Sequence, residues 1–244
     1  APAGVGDSVV LLHGLFDSAR GWRDLPQRLA QRGLSVHAPD LPGHGAAPDM
    51  ADTVPALVEG LLPGLPPGPL TLVGHSLGAV LAVRLAQRLG ARVARLVLIA
   101  PAGIGARIDA DFLDGMLAAE TPAALARALA RLDAGPLSDT LLAEELARLT
   151  ARRPALAGLA RALAHQGMQQ IDITADLDRL ACPVRVIWGT ADRILDWRDV
   201  AHLPSRVAIH LVRGAGHLPH LADPALLPDL LAPAAPDAER RSAP

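Results

Sequence analysis

Lysine is absent from these 244 residues; all 23 basic side chains are arginine. That excludes a lipoyl-lysine, a Schiff-base lysine and the lysine of a Walker-type phosphate loop. With a single cysteine, Cys182, no disulfide can close within the chain, and no Cys/His cluster has zinc spacing. Cys182 precedes Pro183 at the start of a β-type run, which points to packing rather than chemistry. Tyrosine is missing, so no pocket wall can carry a phenolic hydroxyl. The formal charge is only −2 and the arginines are scattered, so there is no basic stripe and nucleic acid is not an expected partner. No apolar run reaches membrane-spanning length, and no charged-then-apolar signal segment opens the chain. The expectation is a cytoplasmic protein with no membrane partner, although the chain opens on Ala1-Pro2 rather than Met, which leaves upstream processing open.

What is present is the pattern of one α/β domain, at a length that buries a sizeable core. Six β-type runs stand out, near residues 8–12, 34–38, 70–73, 93–100, 184–188 and 207–212. They are apolar on both faces and mostly separated by single helix-like stretches, as in a parallel sheet covered on both sides. Gly33 and Gly90 follow amphipathic runs as helix-ending residues, and Asp223-Pro224 reads as a helix start. No solenoid repeat is evident, and residues 233–244 read as a disordered tail.

The most informative segment is Gly74-His75-Ser76-Leu77-Gly78, between the apolar run 70–73 and a helix-like stretch from Ala79. It reads as a nucleophile elbow, in which a strand turns abruptly into a helix and leaves a serine at the tip. Glycines two residues either side let strand and helix approach without a Cβ clash. The helix beyond presents free N–H groups to whatever the hydroxyl attacks. A serine hydroxyl is a weak nucleophile and needs a base, itself oriented by an acid. Asp192, just past the run 184–188, is the candidate acid, with Asp196 as its rival. His217, in Gly214-Ala215-Gly216-His217 past the run 207–212, is the candidate base, with His220 as its rival. His37, His165, His202 and His210 read as solvent or packing residues. Two backbone N–H groups, of Leu77 after the serine and of Leu15 after His13-Gly14, are the candidate oxyanion donors.

Five motifs carry a resemblance. Leu11-Leu12-His13-Gly14, Asp40-Leu41-Pro42-Gly43-His44-Gly45, the elbow, Trp188-Gly189-Thr190-Ala191-Asp192 and Gly214-Ala215-Gly216-His217 stand in the order typical of the α/β-hydrolase family, over nearly the whole chain. The segments 96–105 and 108–115 are similar to the hydrolase-like domain of the acetyltransferase component of acetoin dehydrogenase complexes. The resemblance implies an α/β-hydrolase fold with Ser76 as nucleophile, Asp192 as acid and His217 as base, and a structural turn at Asp40. It implies no cofactor and no metal.

More than 80 residues between the fourth and fifth runs lack a strand signal and are rich in Ala, Leu and Arg at helical spacing. They read as a helical lid over residues 104–174, inserted into a core of residues 1–103 and 175–232. Phe112, Met116 and Met168 are its candidate lining residues, which suit a small or medium aliphatic group. The bland alternative is that these helices only thicken the domain. Only seven residues precede the first run, so the expectation is that the antiparallel hairpin that typically begins the family's sheet is missing. The run 34–38 then becomes an edge, and the expectation is that a second copy, a partner chain or an upstream segment covers it.

Three functions remain open. The first is hydrolysis of a carboxylic ester or thioester, with a small-molecule acyl substrate. The second is carbon–carbon bond hydrolysis or acyl transfer with the same triad, where Arg127, Arg131, Arg152 or Arg161 could pair with a substrate carboxylate. The third is a non-catalytic accessory domain in an acetoin dehydrogenase-type complex. The His-x-x-x-Asp-Gly acetyltransferase motif is absent, since Ala110 stands where the histidine would precede Asp114-Gly115.

Overall fold

The structure, a computed structural model, describes residues 8–48 and 51–232. The expected tail lies outside the described residues. Six parallel strands form one sheet: β1 (Ser8–Leu12), β2 (Ser35–His37), β3 (Leu70–His75), β4 (Val93–Ile99), and, after the insertion, β7 (Val184–Gly189) and β8 (Ala208–Val212). Their order is β2-β1-β3-β4-β7-β8. Alternation along each central strand builds two apolar layers. Val10, Leu12, Leu72, Leu98, Val186 and Trp188 face one way, packing with α2 (Val54–Leu61) and α3 (Leu77–Leu89). Val9, Leu11, Val73, Ile99 and Ile187 face the other, packing with Trp22, α1 (Leu25–Gln31) and α9 (Leu226–Leu231). A strand buried on both faces has no polar side to alternate, which is why the central runs are apolar, whereas the edge strands β2 and β8 are largely exposed.

Punctuation residues set the element ends. Gly33, at φ +81°, closes α1, and Gly90, at φ +54°, closes α3. Asp223 does not open the last helix as expected. It ends α8 (Pro219–Ala222) and accepts a hydrogen bond from the Ala225 N–H, and α9 begins at Leu226. The run 34–38 shortens to three paired residues because the Leu34 N–H still bonds back to Leu29 in α1. This strand lies at the sheet edge as expected. Beyond β1 it pairs with no strand among the described residues, and its brevity limits the exposed ladder.

The insertion holds α4 (Ala110–Ala118), α5 (Pro122–Leu129) and α6 (Asp139–Leu163). Side-chain caps start each one: Asp109 accepts from Phe112 N–H, Thr121 from Ala124 N–H and Ser138 from Leu141 N–H. A small antiparallel hairpin, β5 (Ala164–His165) and β6 (Met168–Gln169), follows and was not expected. Its turn is Gln166-Gly167, both at positive φ, and two-residue strands are too short to leave an alternating pattern. The helix α7 (Thr174–Arg179) leads back into β7. Among the described residues no helix is long and apolar enough to cross a membrane, and no group of three or more His, Cys, Asp or Glu could hold a metal.

Candidate active site

Ser76 sits between β3 and α3 at φ +52°, a left-handed backbone that costs a non-glycine residue about 1–2 kcal/mol. Three bonds hold it there. Its N–H donates to Ile99, and its carbonyl accepts from Ala79 and Ala102. The flanking glycines are required by contact. A Cβ on Gly74 would lie 2.2 Å from the Gly78 carbonyl oxygen, and one on Gly78 would lie 2.0 Å from that of Leu12.

The carboxyl-terminal edge of the sheet gathers the other candidates, as a parallel sheet dictates. Asp192 follows β7, and its Oδ2 lies 2.8 Å from His217 Nδ1, with both side chains buried. A carboxylate only accepts, so His217 carries its proton on Nδ1 and leaves Nε2 as the basic atom. Trp188 Nε1 donates to the same Oδ2, while the Ile194 and Leu195 N–H groups donate to Oδ1. Burial alone would raise the Asp192 pKa, but the neighbouring His217 and these hydrogen bonds outweigh it and hold the carboxyl below its usual range. The rivals lie elsewhere. Asp196 caps the turn leading to Arg198, and His220 packs 5.0 Å from the Trp22 ring with no acid beside it. His37 and His165 are exposed, His202 pairs with Asp199 at 3.7 Å, and His210 is half-buried on β8.

Leu15 lines the same cavity as Ser76 and His217. His13 orients it. Nδ1 of that buried ring donates to the Gly14 carbonyl at 2.9 Å, and Nε2 accepts from the Leu41 N–H at 3.0 Å. No peptide is cis among the described residues, so the Leu15 N–H points opposite to the tethered Gly14 carbonyl. Leu77 is the first residue of α3, and its N–H is one of the amides a helix start leaves free. Asp40 is structural, as expected: it accepts from Ala19 and Ala46 N–H groups and braces the turn after β2.

The cavity holds about 300 Å³. Its far wall is apolar and comes from the insertion, with Phe112, Leu113, Met116, Leu125, Leu129 and Leu163. Met168 is not part of it; that residue lies on the short hairpin and is 43% exposed. None of the four candidate arginines Arg127, Arg131, Arg152 and Arg161 lines it either. Arg131 binds Asp109 at 2.5 Å, Arg152 donates to the Ala47 carbonyl, and Arg127 and Arg161 are exposed. Arginines at the cavity come instead from the loop after β1, as Arg20 and Arg23. Two further groups escaped sequence reasoning. Asp17 lines the cavity, and burial pushes its pKa up to about 6 against the hydrogen bond from the Ser18 N–H. His75, inside the elbow motif itself, reaches the backbone of His217.

Residues 9–229 match the profile of the Alpha/beta hydrolase family. The chain belongs to that family. This alpha/beta hydrolase is 34% identical over 241 residues to a pimeloyl-[acyl-carrier protein] methyl ester esterase of Aromatoleum aromaticum, covering 88% of the chain and 93% of that relative. It is 33% identical over 226 residues to the dihydrolipoyllysine-residue acetyltransferase component of an acetoin cleaving system from Pseudomonas putida. That match covers 87% of this chain but only 59% of the longer relative. The fold superposes on 2-hydroxy-6-oxo-6-phenylhexa-2,4-dienoate hydrolase from Rhodococcus sp. strain RHA1 with a TM-score of 0.77, over 93% of this chain and 89% of that one. Identity there is 22%, so the likeness speaks for the fold alone.

Proposed function

We propose that this alpha/beta hydrolase cleaves a carboxylic ester or thioester through an acyl-enzyme on Ser76. The observation that carries the reading is the buried Asp192–His217 bond, which leaves His217 Nε2 basic at the cavity that Ser76 also lines. In the first half-reaction the Ser76 oxygen attacks the carbonyl carbon and His217 Nε2 takes its proton. Asp192 stabilises the imidazolium, and the N–H groups of Leu15 and Leu77 stabilise the oxyanion, each such donor being worth about 3 kcal/mol. The imidazolium then protonates the departing alcohol or thiol as the acyl–oxygen or acyl–sulfur bond breaks. In the second half-reaction water attacks the acyl-enzyme and gives its proton to the same nitrogen, which passes it to the Ser76 oxygen as the acyl–serine bond breaks and the acid leaves.

The acyl arm is aliphatic and of small to medium length. The apolar wall from α4 and α5 offers no side-chain hydrogen-bond donor, and a sugar's hydroxyls would be stranded against it. Water exclusion by the insertion strengthens the electrostatics at Ser76, which is the part a lid plays. The methyl ester esterase likeness agrees with this chemistry. Carbon–carbon cleavage gains nothing from the insertion arginines, none of which reaches the cavity.

The test is a Ser76→Ala variant. It should lose turnover of short p-nitrophenyl esters and covalent labelling by a fluorophosphonate, with an unchanged circular dichroism spectrum. Undiminished hydrolysis in that variant would refute the assignment.

A further inference from the structure

The residue before the nucleophile makes a contact that the proposed reaction leaves unused. His75 closes β3, is 5% exposed, and places its Nε2 2.9 Å from the main-chain carbonyl of His217. A carbonyl oxygen only accepts, so Nε2 carries the hydrogen. Burial, with His217 and His220 nearby, holds the ring's pKa well below the ordinary histidine value, so the ring is neutral with its lone pair on Nδ1. We propose that His75 is a positioning residue that sets the separation of base and nucleophile by tying the backbone of His217 to the elbow. The inference rests on the serine hydrolase reading.

Topology explains why such a tie is needed. β8, which leads to His217, is three strands away from β3, which leads to Ser76. At about 4.8 Å per strand the base loop must reach back across roughly 14 Å of sheet. Glycines bring it close: a Cβ on Gly189 would lie 2.2 Å from the Ala215 carbonyl. Asp192 fixes the imidazole at Nδ1, but Asp192 itself hangs from the loop after β7 and says nothing about the distance to Ser76. His75 is covalently next to Ser76 and bonded to the backbone of His217, so its bond spans that gap directly. Packing keeps the ring from turning away. Its centroid lies 4.8 Å from that of His217 and 5.5 Å from that of His220, which rests on Trp22. A displacement of about 1 Å between reacting groups costs on the order of 100-fold in rate.

The experiment compares kcat and KM on a p-nitrophenyl ester for the wild type, His75→Phe and His75→Gln. Phenylalanine keeps a ring but strands the carbonyl, whereas glutamine can still donate an N–H to it. His75→Phe should lower kcat on the order of 100-fold with KM within about threefold, and His75→Gln should recover to within about tenfold of wild type. In a His217→Ala background His75→Phe should cost nothing further, because the base it positions is gone. Long-range ¹H–¹⁵N spectra of the wild-type protein read the tautomer whether or not any variant folds, and should show His75 neutral and protonated on Nε2 from about pH 6 to 8. A kcat for His75→Phe within about threefold of wild type, additive losses in the double variant, or an Nδ1–H tautomer would each overturn the proposal. A wild-type protein that neither turns over esters nor takes up the fluorophosphonate would instead defeat the hydrolase reading, and the tautomer would still stand as a separate result.

Discussion

Asp192 holds two oxygens against four donors, and the consequence is directional. One oxygen must accept from His217, so the imidazole has a single productive tautomer. Asp192→Asn puts an amide N–H where that acceptor stood and favours the reversed tautomer, with Nε2 protonated and no longer basic. We expect kcat to fall on the order of 1,000-fold or more, measured on p-nitrophenyl esters, with little change in KM. Asp17, which lines the cavity, is perturbed in the opposite direction to Asp192. Its folded-state pKa, raised by burial to about 6 from 3.8, means that the folded protein binds more protons than the unfolded chain between those values. Stability contributed by this group is therefore lost as pH rises from about 4 to 6. Asp17→Asn should remove that loss, by up to about 3 kcal/mol, when urea midpoints at acid and neutral pH are compared with wild type. The places of Ser76, Asp192 and His217 were legible in the sequence because each candidate follows a strand in a fixed order. Asp17 and His75 were not, since a lone aspartate in a loop and a histidine inside a motif look alike whether or not anything faces them.

Helices and strands here are spaced by glycine contacts that differ sharply in consequence. Gly78→Ala drives a methyl to 2.0 Å from the Leu12 carbonyl and must push α3 off β1. A loss of about 3 kcal/mol or more is expected in urea unfolding. Gly33→Ala meets nothing within 4 Å and is strained only by its φ of +81°, so about 1 kcal/mol is expected. The sequence already separates the two, Gly33 ending a helix and Gly78 flanking the elbow serine, and only Gly78 is a packing contact. Among the inserted helices, α4 presents Phe112 to the cavity. Phe112→Ala should shift preference in a p-nitrophenyl ester series toward longer acyl chains, read as kcat/KM against chain length. An unmoved optimum would separate this helix from acyl selection. The helical nature of the insertion was readable from its spacing, while its caps Asp109, Thr121 and Ser138 came from the structure. Of the lining residues expected from the sequence, Phe112 and Met116 line the cavity and the exposed Met168 does not.

Across the whole molecule, four buried imidazoles must stay neutral for the fold to hold. Burial lowers His13 and His220 to about 3 and His44 to about 4, and holds His75 well below 6.5. The unfolded chain protonates these rings near pH 6.5, whereas the folded protein resists until much lower pH. Their contribution is intact above about 6.5 and drains away on acidification, at roughly 5 kcal/mol per pH unit for the four together. Against an ordinary stability of about 5–15 kcal/mol, acid unfolding is expected near pH 5, monitored by circular dichroism. Asp17 opposes this trend but is one group against four.

Local signals were enough for the strands, the elbow and the order of the catalytic candidates, because apolar runs, glycine spacing and caps act over a few residues and are written there. They decided that the chain is an α/β sheet with a serine at a strained turn. Convergence was decided elsewhere. Residues 75, 192 and 217 meet only because parallel strands carry their following loops to one edge, and a loop over 100 residues away in sequence then folds back across it. Burial, tautomer and pKa depend on what arrives from such distant segments, so no window of sequence contains them.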